Sequence, residues 1–272
     1  MASPTEITPA QLARLIATPD CPRIIDMRID ADFDDDPRLI PGASRWPHSQ
    51  TDALPDGRKY ILYCQKGLKL SQGAAALLRT RGITAETLIG GQFAWRDAGL
   101  PMITARALPP RDLQGRTLWV TRQRPKIDRI ACPWLIRRFI DPTARFLFVA
   151  PSEVFSVADK FNATAFDIED TLFSHRGETC TFDTLLDEFS LSTPALSRLA
   201  TIIRGADTNR HDLAPESAGL LAASLGLSRM YRDDQRQLDA GLALYDAFYR
   251  WARDATDEGH DWPAGANKGG LS

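Results

Sequence analysis

Tyr63-Cys64-Gln65-Lys66-Gly67-Leu68-Lys69-Leu70-Ser71 sets a cysteine where an apolar run ends and a small-residue run, Gly73-Ala74-Ala75-Ala76-Leu77-Leu78, begins. The pattern reads as strand, turn and helix start. A thiol at that junction faces backbone N–H groups that lack an intrahelical partner, together with the positive end of the helix dipole. Both favour a thiolate, so sulfur or oxyanion chemistry is expected at Cys64.

Working outward, Lys59 to Cys64 is expected to be a strand, Ser71 to Arg81 a helix and Ala85 to Leu88 a strand. Gly90-Gly91 then turns into Phe93-Ala94-Trp95-Arg96. Upstream, Thr8-Pro9 opens a helix carrying Leu12, Leu15 and Ile16. Arg23-Ile24-Ile25-Asp26-Met27-Arg28 is a buried strand that brings Asp26 and Arg28 to the mouth of a site. Asp30 to Asp36 reads as a solvated acidic loop, and Leu39 to Ala43 as a turn into another short strand. Strands alternating with helices predict an α/β fold, a parallel sheet flanked by helices, with its site beyond the carboxyl ends of the strands.

The chain has 272 residues, enough for two units that each bury a core. A net charge of -2 gives no global attraction to nucleic acid or acidic lipid, and no nucleic-acid partner is expected. Cys21, Cys64, Cys132 and Cys180 form no CxxC pair, which fits reduced thiols in a cytoplasmic protein. No apolar run reaches the ~18 residues of a membrane span and the N-terminus has no signal-peptide pattern, so no membrane partner is expected either.

Ile25-Asp26-Met27-Arg28, Ile40-Pro41-Gly42-Ala43, the Cys64 loop and Gly90-Gly91 with Trp95 resemble, in this order and spacing, a single rhodanese domain. The unit would occupy residues 1–106. The resemblance implies a sulfurtransferase in which Cys64 takes a sulfane sulfur from thiosulfate or a persulfide, carries it as a persulfide, and passes it to a thiol acceptor. Gln65, Lys66, Gly67, Leu68 and Lys69 would cradle the sulfur, Asp26 and Arg28 would flank the donor, and no cofactor is required. Phosphatase chemistry would need an arginine at position 70 to hold phosphoryl oxygens, and Leu70 stands there.

Residues 107–116, with Pro109-Pro110 and Gly115, read as a linker. Beyond it, Thr117 to Thr121 is a strand, the segment from Arg122 to Arg129 is densely basic, and Asp128 to Ile140 is a helix in which Pro133 fits only near the first turn. From Trp119-Val120-Thr121-Arg122 to Phe139-Ile140-Asp141-Pro142 the chain closely resembles the C-terminal domain of ChrB-type chromate-resistance proteins. The similarity continues through Arg145 to Val149, Phe166-Asp167, His175 to Phe182 and Asp207. It implies a helix-rich α+β domain over 117–256 with a link to chromate resistance. Lys126 and Arg204 stand where histidine is common in that family.

Two sites are open in this domain. Arg122, Arg124, Lys126, Asp128, Arg129 and Arg137 could form an oxyanion site for chromate or a similar ion, since guanidinium groups suit tetrahedral oxyanions. His175, Cys180 and Asp183 with Asp167 and Asp207 could instead hold a divalent metal. Thr181 is expected to cap a helix, with Asp183 favoured by its dipole. Apolar stripes predict helices over Pro194 to Asp207, Pro215 to Leu225 and Gln235 to Trp251. Residues 257–272 are expected to be a mobile tail. The alternative to an enzyme is a chromate-responsive sensor with a non-catalytic rhodanese module.

Overall fold

The computed structural model describes residues 3–259, so residues 260–272, most of the expected tail, lie outside the described residues. The first half contains β1 (Glu6–Ile7), α1 (Pro9–Leu15), β2 (Arg23–Asp26), α2 (Asp30–Asp35), β3 (Arg38–Leu39) and β4 (Ala43–Arg45). It continues with β5 (Tyr60–Tyr63), α3 (Lys69–Thr80), β6 (Ala85–Leu88), α4 (Gly91–Asp97) and β7 (Ile103–Thr104). Five strands form a parallel sheet in the order β1-β6-β5-β2-β4, with Ile25 opposite Leu62 and Asp26 opposite Tyr63. β5 is buried throughout, as the central strand of a sheet covered on both faces must be.

Local chemistry explains most boundaries. Thr8 and Gln11 form a reciprocal capping box with Pro9 in the first turn of α1. The acidic stretch is a helix, α2, and not a loop: Phe33 lies under the guanidinium groups of Arg28 and Arg45, at 4.9 and 4.0 Å from the ring centre. Stacking of cations on Phe33 supplies the packing that the stretch's composition conceals.

The second half contains β8 (Leu118–Arg122), α5 (Asp128–Leu135), β9 (Arg145–Val149), α6 (Val154–Phe161), β10 (Thr164–Ala165), α7 (Thr181–Glu188), α8 (Pro194–Asp207), α9 (Glu216–Met230) and α10 (Asp234–Asp254). A three-stranded parallel sheet, β10-β8-β9, is packed with helices. Pro133 sits deep in α5, past the first turn, and the helix loosens into a π-turn over Ile136–Ile140. Thr181 is not the cap of α7. Cys180 is, with Asp183 closing the box onto its backbone, and the Thr181 hydroxyl instead donates to Asp167.

Within residues 107–116 the chain makes a tight turn after Arg111. Asp112 Oδ1 accepts the N–H groups of Gln114 and Arg116, and Arg111 pairs across to Thr117. One apolar core runs through both halves, from Ile7, Leu12 and Trp95 to Trp119, Trp134 and Tyr249. The Gly42 N–H donates to the Phe139 carbonyl across the junction. Among the described residues no helix is long and apolar enough to cross a membrane.

Candidate functional site

Cys64 follows directly on β5, and the loop to α3 is held by the next connection in the sheet. Gln92 N–H donates to the Cys64 carbonyl and Phe93 N–H to that of Gln65. Gly67 and Gly91 allow this contact. Both have positive φ, and a Cβ on Gly91 would strike the Cys64 carbonyl, just as one on Gly67 would strike the Leu88 carbonyl. The thiol is 6% exposed and lies in a small apolar cluster with Met27 and Ala75, against which Trp46 packs.

Burial alone would raise the Cys64 pKa. The Ser71 hydroxyl, 3.4 Å from Sγ, and the backbone N–H groups of Ser71, Leu68 and Lys66 outweigh it, so the thiol lies below its ordinary value. The sequence alone gives Ser71 no role. Its position one turn into α3, pointing back at the loop, was the available signal. Replacing Ser71 with alanine is expected to move the alkylation pH profile of Cys64 upward by about one pH unit, taking ~1.5 kcal/mol for a hydrogen bond to a charged group. Thiolate reactivity persists above the folded-state pKa and fades as pH falls through it, so the variant loses reactivity at a higher pH than the wild type. Iodoacetamide rates from pH 5 to 10 measure this.

Gln65, Gly67 and Leu68 form the loop as expected. Lys66 and Lys69 are exposed and enter no ion pair among the described residues. Asp26 and Arg28, expected at the mouth, are a fully buried pair. Arg28 chelates Asp26 at 2.7–3.0 Å and donates to the carbonyls of Asp36 and Arg38, tying β2 to the segment after α2. Their hydrogen bonds are spent on structure. A cavity of about 310 Å³ opens beyond β2 and β4, bordered by Arg28 itself with Asp30, Arg45, Trp46 and His48.

In the second half the expected oxyanion set is not gathered. Arg122 and Arg129 converge on Asp167 at 3.1 and 3.2 Å. Arg124 is turned to the carbonyls of Ser228, Tyr231 and Arg232 at the end of α9, and Arg137 to Ala144 and Asp239. Lys126 is exposed beside α9 and α10. Each guanidinium has a partner because the basic stretch is distributed over the ends of several elements.

Asp128 leaves that set and joins another. His175 Nε2 lies 3.2 Å from Asp207, 3.6 Å from Asp128 and 3.6 Å from Asp167. The carboxylates of Asp167 and Asp207 hold the imidazole as a cation, with its pKa raised to about 10. Burial pushes the Asp128 carboxyl well above its ordinary range, and Asp207 and Asp167 add to the shift. Burial works the same way on Asp167, but His175, Arg129, Arg122 and Thr181 outweigh it and keep that carboxyl low. Cys180 and Asp183 do not join: the Cys180 thiol donates to Asp183 at 3.3 Å, and burial pushes Cys180 and Cys132 well up. All four cysteines are free.

The family model for the ChrB C-terminal domain matches residues 119–252. Protein ChrB of Cupriavidus metallidurans is 33% identical over 192 residues, which are 65% of this chain and 57% of that protein, so the chain spans little more than half of its relative's length. Among solved structures, a thiosulfate sulfurtransferase from Pseudomonas aeruginosa is 32% identical over 38% of this chain and 20% of its own, with a TM-score of 0.33. A rhodanese-related protein from Thermoplasma volcanium is 22% identical over 36% of this chain and 96% of its own, with a TM-score of 0.32. Residues 119–252 thus match the ChrB C-terminal domain, and they follow an N-terminal unit built on a parallel sheet flanked by helices.

Proposed function

We propose that the chain is a sulfurtransferase that moves sulfane sulfur through a persulfide on Cys64 and is linked to chromate resistance by its ChrB-type domain. The observation that carries this reading is the ring of donors on Cys64 Sγ from Ser71, Leu68 and Lys66, which lowers a buried thiol's pKa against its own desolvation. In the first step the Cys64 thiolate attacks the outer sulfur of thiosulfate. A Cys–S–S⁻ bond forms, the S–S bond of thiosulfate breaks, and sulfite leaves with that electron pair. The same N–H groups then hold the terminal persulfide charge, and an acceptor thiolate removes the outer sulfur and returns Cys64 as a thiolate. Exposed Lys66 and Lys69 attract the dianionic donor.

The engagement of Arg122, Arg124, Arg129 and Arg137 with carboxylates and carbonyls argues against an oxyanion sensor built from them. Incubation with thiosulfate should add the mass of one sulfur to the intact chain, removable by cyanide. Peptide mapping should find it on Cys64 and not on the buried Cys132 or Cys180. Absence of an adduct with thiosulfate and with a persulfide donor would remove the reading.

A further inference from the structure

The cluster around His175 is not used by sulfur transfer, and it has an unmet need. Asp128 is 1% exposed. Its Oδ2 accepts the backbone N–H groups of Thr181 and Phe182 at the start of α7, but its Oδ1 has no hydrogen-bond partner. The neighbouring Cys180 thiol donates to Asp183 instead. As a carboxylate Oδ1 lacks a donor, and as an acid it would lack an acceptor. Either state leaves a buried polar atom unsatisfied, which is costly unless something fills the place.

We infer that Asp128, His175 and Asp207 form a binding site for one divalent transition-metal ion. Ligand atoms of the three residues lie within 4.8 Å of one another. Bonds of roughly 2.0–2.2 Å to one centre put ligand atoms about 3 to 4.4 Å apart, so one ion can reach all three with small adjustments. The charges also balance. Asp167 is neutralised by Arg122 and Arg129 and bonded by Thr181, so it stands behind the site and steadies it. Asp128 and Asp207 remain, and Asp207 has only His175 as an ion partner among the described residues. Two carboxylates and a neutral imidazole match a dication.

Placement supports a cation. Asp207 is the last residue of α8, whose C-terminal carbonyls favour positive charge. The His175 side chain is 42% exposed, which gives an ion an entry path and a solvent-facing position for water or substrate. One imidazole with carboxylates, and no thiolate, suits a first-row dication such as Mn(II), Fe(II) or Zn(II) over Cu(I) or Ca(II). His175 and Asp207 already share a candidate metal set in the sequence, whereas Asp128 stands there among the arginines and only the fold brings it to them.

The test uses the full chain, stripped with chelator and titrated with Mn(II), with the loss of the free-ion electron paramagnetic resonance signal as readout. Zn(II) and anaerobic Fe(II) are tested by competition. One ion per chain should bind, with a rise in melting temperature. His175→Gln and Asp207→Asn, both at solvent-accessible positions, should each weaken binding by at least about 100-fold while keeping the wild-type circular dichroism. Asp128→Asn is the buried companion and need not fold for the test to decide. Cys64 is common to wild type and variants, so its thiol cannot produce the difference. Binding of none of the three ions at a ratio near one, or equal binding by wild type and both accessible variants, would overturn the site.

Discussion

Arg28→Ala is expected to destabilise the protein by about 3–5 kcal/mol, the usual consequence of removing one member of a buried ion pair and leaving the other charge alone. Both side chains are fully buried. Without the guanidinium, Asp26 keeps one backbone donor, the Arg28 N–H, the Arg38 carbonyl loses its side-chain donor, and the Asp36 carbonyl keeps only the Arg38 N–H. Set against the ~5–15 kcal/mol that holds a typical domain together, this is a large fraction, and the urea midpoint should fall accordingly. The double variant Asp26→Leu/Arg28→Met removes both charges and should recover much of the loss. Sulfur loading of Cys64 per folded molecule should be unchanged in the single variant at low temperature. A variant of near-normal stability that loads sulfur poorly would instead make Arg28 part of the donor site.

Cys64→Ala should reduce sulfur transfer from thiosulfate to the uncatalysed level, a loss on the order of 10⁴-fold or more, as expected when a covalent nucleophile is removed. No second thiol can take over. Cys132 and Cys180 are fully buried, and burial keeps both protonated. Cys21 is half-buried, with its pKa pushed up to about 11 by desolvation. The replacement is small and preserves the backbone bonds from Gln92 and Phe93, so circular dichroism should match the wild type. Cyanide-coupled turnover measured side by side gives the comparison. Retention of more than a few per cent of the wild-type rate would move the chemistry away from this loop.

Much of the first half was legible because its signals are local. The β5–α3 junction, β6 over Ala85–Leu88 and the Pro9 helix start follow from apolar runs and capping residues close in sequence. α2 was missed because its stabilising partners, Arg28 and Arg45, come from other strands and stack on Phe33. α8 was fully visible, since its apolar stripe and Pro194 carry their own punctuation. Pro133 misled for the opposite reason: a proline disfavoured by propensity is retained where burial of Trp134, Leu135 and Ile136 outweighs one lost helix bond.

By itself the sequence determined that a thiol ends a strand before a helix, and that a helix-rich unit follows a parallel α/β unit. Periodicity and capping act over a few residues, so the chain states them directly. Only the tertiary structure decided that Asp26 and Arg28 are a buried tie, that Ser71 reaches Cys64, and that Asp128 meets His175 and Asp207 while the arginines beside it turn to other partners. These outcomes depend on which charges share a buried space, and that is set by how distant segments pack, because a carboxylate out of water must take whatever donor or cation the fold brings within reach.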